Sequence, residues 1–264
     1  MNNPKFFIVS SAYNSEKTLN SFFDSLEDQI YANWILLIAD DLSTDETRNI
    51  IEERSFSNKK IKLFKNKENL GLTKSLNKLI NNVPNEAIIV RMDTDEFYNK
   101  GFLQEIVYLI NDRKYDLILS TSNIKYSLIL NNLSTNLSLI FLTLWGNIFN
   151  HGSAIFSKEL FVKCGGYKKH MYFSQDYILW IRMIYFAKRK YFIYETKFKQ
   201  IKNDQRISII NRIEQVLFSF FGLIEFLDLF FGRKNQFLYK FFLYFLLLIS
   251  ILVRFLRYLF IRLI

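Results

Sequence analysis

Two aspartates separated by one small residue, Asp93-Thr94-Asp95, end a short apolar run that begins at Ile88, and Glu96 follows directly. Carboxylates spaced this way offer hard oxygen donors that suit Mg²⁺ or Mn²⁺, usually shared with the phosphates of a substrate. The run itself reads as a buried strand. In extended chain, residues i and i+2 face one side, so the spacing predicts that both aspartates point the same way. Open α/β sheets bind ligands at the carboxyl ends of their strands, which is where these acids would stand. A solvated acidic turn has the same composition, so the surrounding elements have to decide between the two.

Those elements alternate. Phe6 to Ser11 reads as a strand, followed by a turn in which Ser15 can cap a helix over 16–31 with Leu19, Phe22, Phe23, Leu26 and Ile30 on its core face. Trp34 to Ala39 is a second strand and runs into Asp40-Asp41. Ser43 and Glu46 have the spacing of a capping box opening a second helix. Ile61 to Phe64 is a short third strand, the Asn69-Leu-Gly-Leu-Thr73 turn leads to a helix over 74–81, and the acid-bearing strand is the fourth. Strands alternating with helices at these crossover lengths predict a parallel sheet. Two of the four strands end in paired acids, which suggests one shared polar ligand.

The ordered set Val9-Ser-Ser-Ala-Tyr-Asn14, Asp40-Asp-Leu-Ser-Thr-Asp45, Asn69-Leu-Gly-Leu72 and Arg91-Met-Asp-Thr-Asp95 resembles the family-2 glycosyltransferases. Further along, His151-Gly-Ser-Ala-Ile-Phe156, Gly165-Gly-Tyr167 and Ser174-Gln-Asp-Tyr-Ile-Leu-Trp180 are similar to that family's acceptor-side segments, so the likeness spans about residues 6–208. It implies an α/β chain with the GT-A fold. A Rossmann-like nucleotide-sugar half with a mixed central sheet (about 1–122) would precede an acceptor half (about 123–208). It implies that Asp41 bonds the base edge of a nucleotide, with Ser11 and Tyr13 flanking base and ribose. Lys74 and Arg91 are the nearest cations for the diphosphate or for balancing the acids. Asp95 would be the Mn²⁺ or Mg²⁺ ligand, with Asp93 on ribose or metal. Many relatives carry Asp where this chain has Glu96, which leaves open which acid binds the ion. Asp176 would be the general base; the family usually has Glu-Asp where this chain has Gln175-Asp176. One positioned carboxylate and no enzyme nucleophile imply direct displacement with inversion. His151 falls where the family often carries histidine. Lys199 to Ser208 resembles its closing loop, with Lys202 or Arg206 over the phosphates.

The 264 residues can bury a sizeable core, half of them being hydrophobic. One cysteine, Cys164, excludes an intrachain disulfide and fits a reducing compartment. The apolar run from Phe6 to Val9 is too short for a signal peptide core. The net charge of +10 is uneven: residues 1–164 are close to neutral, and residues 232–264 carry six basic and no acidic side chains. That distribution argues against nucleic acid and for an anionic membrane surface. Residues 209–264 read as amphipathic helices forming a membrane-associating tail. Its 13-residue apolar run, Phe241 to Val253, is short for a spanning helix and suits one lying in the interface. A helix packed on the domain or on a second copy of the chain (a homo-oligomer), and a tilted span, are the alternatives.

Together these features predict an inverting, metal-dependent transferase acting at the cytoplasmic face of the inner membrane. It would move a sugar from a nucleotide-sugar, UDP-linked in the first instance, to a glycan or lipid-linked acceptor in surface polysaccharide synthesis. A nucleotidyltransferase shares the sheet and the acids but would want a Gly-rich, basic loop where Ser10 to Asn14 has neither. A non-catalytic sugar-nucleotide-binding module is the third reading, and the retained Asp41, Asp93, Asp95 and Asp176 speak against it.

Overall fold

The computed structural model describes residues 3–145, 147–168, 175–194 and 198–200, with a few helical positions between 224 and 252. The expected closing loop, with Lys202 and Arg206, lies outside the described residues, as does most of the tail. The first half reads β1 (Phe6–Ala12), α1 (Glu16–Glu27), β2 (Trp34–Asp40), α2 (Thr47–Ser57), β3 (Ile61–Lys65), α3 (Leu72–Asn81), β4 (Ile88–Arg91), β5 (Glu96–Tyr98) and α4 (Phe102–Arg113). Then come β6 (Leu117–Thr121), α5 (Ile124–Asn132), α6 (Thr135–Trp145), a 3₁₀ turn (His151–Ser153), β7 (Ile155–Ser157), α7 (Lys158–Lys163), α8 (Gln175–Phe186), β8 (Lys190–Tyr194) and β9 (Phe198–Gln200).

Seven strands form one sheet in the order β3-β2-β1-β4-β7-β6-β8. β3, β2, β1 and β4 are mutually parallel, β7 is antiparallel to both its neighbours, and β6 and β8 are parallel. The sheet is therefore mixed, as expected, and its single reversal sits beside the acid-bearing strand. β5 pairs with β9 in a separate two-stranded ribbon, Glu96 opposite Gln200.

Side chains alternate across the sheet because the strand period is two. Phe6, Ile8, Leu36, Ile38 and Val90 enter one core with Leu19, Phe22, Phe23 and Leu26 of α1 and Phe102, Leu103 and Ile106 of α4. Val9, Leu37, Ala39 and Ile89 enter the other with Leu76, Leu79 and Ile80 of α3, Phe161 of α7, and Leu179, Trp180 and Ile184 of α8. Helices on both faces bury a parallel sheet fully. Leu227 is also fully buried in the second core.

Four local expectations are corrected. α1 stops at Glu27, short of residue 31, because the Ile30 N–H bonds the Lys100 carbonyl (2.9 Å) instead of continuing the helix. Ile30 is consequently 68% exposed, and Gln29 turns inward, donating to the Asn99 carbonyl (2.9 Å) and accepting from the Leu103 N–H (3.1 Å). The Ser43–Glu46 capping box does not form. α2 begins at Thr47, whose N–H donates to Asp45, while the Ser43 hydroxyl accepts from the Asn14 N–H across the loop. Ser15 sits at the N-cap of α1, but its hydroxyl bonds the Tyr13 carbonyl rather than the helix. The fourth correction concerns the acids and is taken up with the site.

Candidate functional site

β1, β2 and β4 are parallel and in register, Ala12 opposite Asp40 and Val9 opposite Arg91, so the segments leaving them share one edge of the sheet. That edge carries Ser11, Tyr13, Asp41, Asp93 and Asp95. The loops after β1 and β2 are clipped together: the Asn14 side chain accepts from the Thr44 N–H (2.9 Å), with Asn14 itself at a φ of 48°. Tyr13 projects from this clip half exposed, Ser11 is partly buried, and Lys74 stands exposed in the first turn of α3.

Asp41 is almost fully buried and accepts four bonds. Asn66 Nδ2 (2.8 Å), the Leu70 N–H (2.9 Å) and the Ser75 hydroxyl (3.0 Å) reach Oδ1, and the Gly71 N–H (2.8 Å) reaches Oδ2. The carboxylate thus folds the Asn69-Leu-Gly-Leu loop around itself, and Gly71, at φ 77°, supplies the left-handed residue this wrap requires. The first acid of the pair, Asp40, holds Arg48 at 2.7 Å and accepts from the Ser43 N–H.

β4 ends at Arg91, and Asp93 to Glu96 form a turn closed by the Glu96 N–H on the Asp93 carbonyl (3.3 Å). This is the fourth correction: Asp93 and Asp95 do not extend the strand, so period-two alternation does not set their directions. Arg91 is fully buried beneath the turn, where its guanidinium pairs with Asp93 and the Met92 carbonyl. Burial works against that charge, but the Asp93 carboxylate overcomes it and holds Arg91 protonated. The arginine therefore balances the acids from below.

The turn is braced by Tyr98 and Gly152, which sequence reasoning had left without a role. The Tyr98 hydroxyl accepts from the Asp93 N–H (3.1 Å) and serves both Glu96 Oε2 (3.0 Å) and the Gly152 carbonyl. Burial first, and then the two carboxylates, push the Tyr98 pKa well up, so it remains a donor. Gly152 lies so close that a Cβ there would stand 2.2 Å from Glu96 Oε2 and 2.8 Å from Asp93 Oδ2. Alternation with Glu96 in a strand could have flagged Tyr98; nothing short of the fold could have placed Gly152 against the acids.

A metal that binds together with a diphosphate needs open carboxylate oxygens rather than a closed protein cage. Asp93 keeps 26% of its side chain exposed and Asp95 is partly exposed, so the donor set fits a divalent cation shared with phosphates. Among the described residues no cluster of three or more ligating side chains could hold an ion by protein atoms alone.

Asp176 opens α8, whose first turns are anchored by the Tyr177 hydroxyl on the Leu142 carbonyl (2.7 Å) and by the buried Trp180. His151 and Tyr167 are bonded to each other at 2.9 Å, and the His151 ring lies 6.1 Å from that of Trp180, one turn beyond Asp176 on α8. Both feel Arg91, Asp93 and Asp176 electrostatically, which ties the base candidate and the acids into one cluster. Burial, then the Arg91 charge, hold His151 below its ordinary pKa, while burial holds Tyr167 above its own. Arg182, on the same helix as Asp176, donates to the Cys164 and Gly166 carbonyls and fixes the loop that carries Tyr167.

With this geometry in place, the chain can be set beside known proteins. The profile described as Glycosyl transferase family 2 matches residues 7–168, more than half of the chain. EpsE of Bacillus subtilis is 32% identical over 117 residues, 44% of this chain and 42% of that protein. WfgD of Escherichia coli, a UDP-Glc:alpha-D-GlcNAc-diphosphoundecaprenol beta-1,3-glucosyltransferase, is 34% identical over 107 residues, 40% of this chain and 41% of its own. The chain thus spans less than half the length of these two relatives. Among solved structures, the mannosyltransferase PcManGT from Pyrobaculum calidifontis, in complex with GDP-Man and Mn²⁺, matches with a TM-score of 0.68 at 17% identity, over 85% of this chain and 65% of that one. That likeness shows the fold, which is the expected GT-A arrangement.

Proposed function

The chain belongs to glycosyl transferase family 2, and from that premise we propose that it transfers a sugar, with inversion, from a nucleotide-sugar to a glycan or lipid-linked acceptor in surface polysaccharide synthesis. The observation that carries this reading is that His151, next to the Gly152 that packs against Glu96 and Asp93, also meets Trp180, one turn beyond Asp176 on α8, at 6.1 Å between rings, and bonds Tyr167 at 2.9 Å. Asp95 and Asp93 would hold Mn²⁺ or Mg²⁺ with the donor diphosphate, and that ion supplies charge stabilisation for the departing phosphates. Arg91, buried under the turn, pairs with Asp93 and orients it. Asp41 shapes the Leu70–Gly71 backbone at the edge where the base would lie, and Ser11 and Tyr13 flank it. Lys74, free to reach out from α3, faces the phosphates.

Asp176 takes the proton of the acceptor hydroxyl as that oxygen bonds to the anomeric carbon. The bond from that carbon to the phosphate oxygen breaks, its electron pair leaving with the nucleoside diphosphate. A single displacement inverts the anomeric centre. His151, held below its ordinary pKa by burial and by Arg91, is neutral and acts as a spacer bonded to Tyr167 rather than as a competing proton acceptor. WfgD's name supports a UDP-sugar and a lipid-linked acceptor, and the PcManGT complex supports a divalent cation.

The tail would hold the enzyme at the cytoplasmic face of the inner membrane, peripherally or in the plane of the interface. Two features support this: six cations without an acid in residues 232–264, and exposed Tyr244, Phe245, Leu248, Ile251 and Leu252, which fall on one face at helical spacing. No helix of the described residues is long and apolar enough to cross a membrane.

The test is thermal shift against UDP-glucose, UDP-GlcNAc, UDP-galactose and GDP-mannose with Mn²⁺. A ligand that favours the folded state raises Tm, and the donor so found is then used for turnover. Asp176→Asn should keep donor binding yet lose transfer by about 10²–10⁴-fold. Near-normal turnover in that variant, or retained anomeric configuration by NMR coupling, refutes the mechanism.

A further inference from the structure

Asp176 is useful as a base only if one of its oxygens is kept free and aimed while the other is held. The structure assigns that holding task to Asn147, in a proposal that rests on the reading of Asp176 as the base. Asn147 Nδ2 lies 2.7 Å from Asp176 Oδ2. The direction of the amide is set by its other end, because Asn147 Oδ1 accepts the Phe149 N–H at 3.2 Å. An amide oxygen that accepts from a backbone N–H turns the NH₂ group outward, and here it meets the carboxylate.

The segment that presents this amide is anchored. Phe149 is buried, bridges Thr121 at the end of β6 and stacks on Phe192 of β8 with ring centroids 5.4 Å apart. The next residue, Asn150, donates its N–H to the Ser120 carbonyl at 3.0 Å. Asp176 is likewise fixed from below by Tyr177 and Trp180. Two rigid supports, the sheet edge and α8, are thus joined at the active-site surface by a single charge-assisted bond. His151 and Tyr167 feel the Asp176 charge, as they feel those of Arg91 and Asp93. Among the described residues no second amide or cation is bonded to this carboxylate.

Asn147 is therefore a positioning residue. It fixes the Asp176 rotamer, occupies Oδ2 and leaves Oδ1 for the acceptor hydroxyl. Misplacing a reacting group by an ångström is costly in rate while donor affinity, set at the other end of the site, is untouched. Isosteric Asn147→Asp keeps the shape but cannot donate, and it sets a second carboxylate against the first.

The experiment measures nucleoside diphosphate release with the donor chosen by the thermal-shift panel, in Asn147→Ala, Asn147→Asp, Asp176→Asn and the double variant Asn147→Ala/Asp176→Asn. Asn147→Ala should lower kcat about tenfold, the scale of one hydrogen bond to a charged group, with donor KM within about twofold. Asn147→Asp should lose about tenfold more than Asn147→Ala, although it fills the space better. In the double variant, removing Asn147 should add nothing to the loss already caused by Asp176→Asn, because two residues acting as one unit are not additive. A merely structural asparagine predicts the reverse on every arm: Asp tolerated better than Ala, Tm rather than kcat affected, and losses that multiply. Any of those results overturns the assignment. Asp176→Asn with wild-type turnover would instead overturn the base itself, which keeps the two failures distinct.

Discussion

Gly152→Ala probes the brace under the acid turn with one methyl group. Gly152 has no positive φ, so alanine meets no backbone objection there, and the cost is one of space. The added Cβ would stand 2.2 Å from Glu96 Oε2, 2.7 Å from Glu96 Cδ and 2.8 Å from Asp93 Oδ2. Ordinary contact begins near 3.4 Å, so the Glu96 carboxylate must move by roughly 1 Å and Asp93 by about half of that. A carboxylate at the end of a free side chain would give way cheaply. These two are not free: Glu96 is buried and bonded to Tyr98 at 3.0 Å, and Asp93 is paired with buried Arg91. Overpacking of this kind costs about 1–3 kcal/mol, offset by about 0.4–1 kcal/mol from the stiffer unfolded chain. The net cost of about 0–2.6 kcal/mol, at about 2–4 °C per kcal/mol for a domain of this size, should lower Tm by up to about 10 °C. Affinity for UDP in the presence of Mn²⁺ should fall by at least about tenfold, since Asp93, which opens on the metal site, is displaced together with Glu96, which braces the turn. Differential scanning calorimetry and titration calorimetry measure the two quantities. Gly101→Ala is the internal control: its Cβ would meet nothing within 4 Å, and it should be neutral or slightly stabilising. Wild-type Tm together with wild-type UDP affinity in Gly152→Ala would refute the claim that the acids are held by this contact.

Asp95→Asn should weaken Mn²⁺-dependent donor binding strongly while leaving Tm in the absence of ligand nearly unchanged; equal calorimetric affinity would remove Asp95 from the metal. His151, held by burial and Arg91 below its usual pKa, binds fewer protons folded than unfolded. Its contribution to stability is present above about pH 6.5 and drains away as pH falls toward the lower folded value, at up to about 1.4 kcal/mol per pH unit. His151→Gln should flatten the loss of Tm below pH 6.5, and an unchanged slope would refute the assignment. Cys164 is buried with its thiol pushed up to about 12, so Ellman's reagent should label it only after unfolding. A chain ending at Gly232 should bind donor normally but lose anionic liposomes in co-sedimentation, whereas binding of the full chain should weaken only in part at high salt. If the full chain ignores lipid, or the shortened one loses its fold, the tail is core or subunit interface.

What could be read from sequence followed from how local its cause was. Strands β1 to β4 and helices α1 to α3 were legible because period-two and period-3.6 patterns report directly on two-sided burial. The edges of elements were less so. α1 ended early because Ile30 found a partner, Lys100, seventy residues on, and α2 began late because Ser43 was already engaged by Asn14. The acids were found by type and spacing, but the strand was extended too far, since a turn at 93–96 and a strand share the same short polar sequence. Tyr98 carried only its alternation with Glu96, and Gly152 and Asn147 carried no local signal at all: each of these two matters through a residue on another element. Arg91 could be matched to the acids by proximity along the chain, but only the fold shows it buried beneath them.

The one antiparallel strand in the sheet bears on the order of assembly. β4 lies between β1, made early, and β7, which is synthesised more than sixty residues later and supplies the Ala154 carbonyl that receives the Arg91 N–H. Until β7 arrives, the strand leading to the catalytic acids is an unpaired apolar edge, open to pairing with any other chain. The same delay leaves Arg91 without its cover, because the segment that closes over the acid turn is the one that runs from Gly152 into β7. A ribosome-bound chain stalled anywhere between residues 92 and 154 should therefore be vulnerable to proteases and prone to association. Protection ought to appear in one step once β7 has emerged, rather than strand by strand.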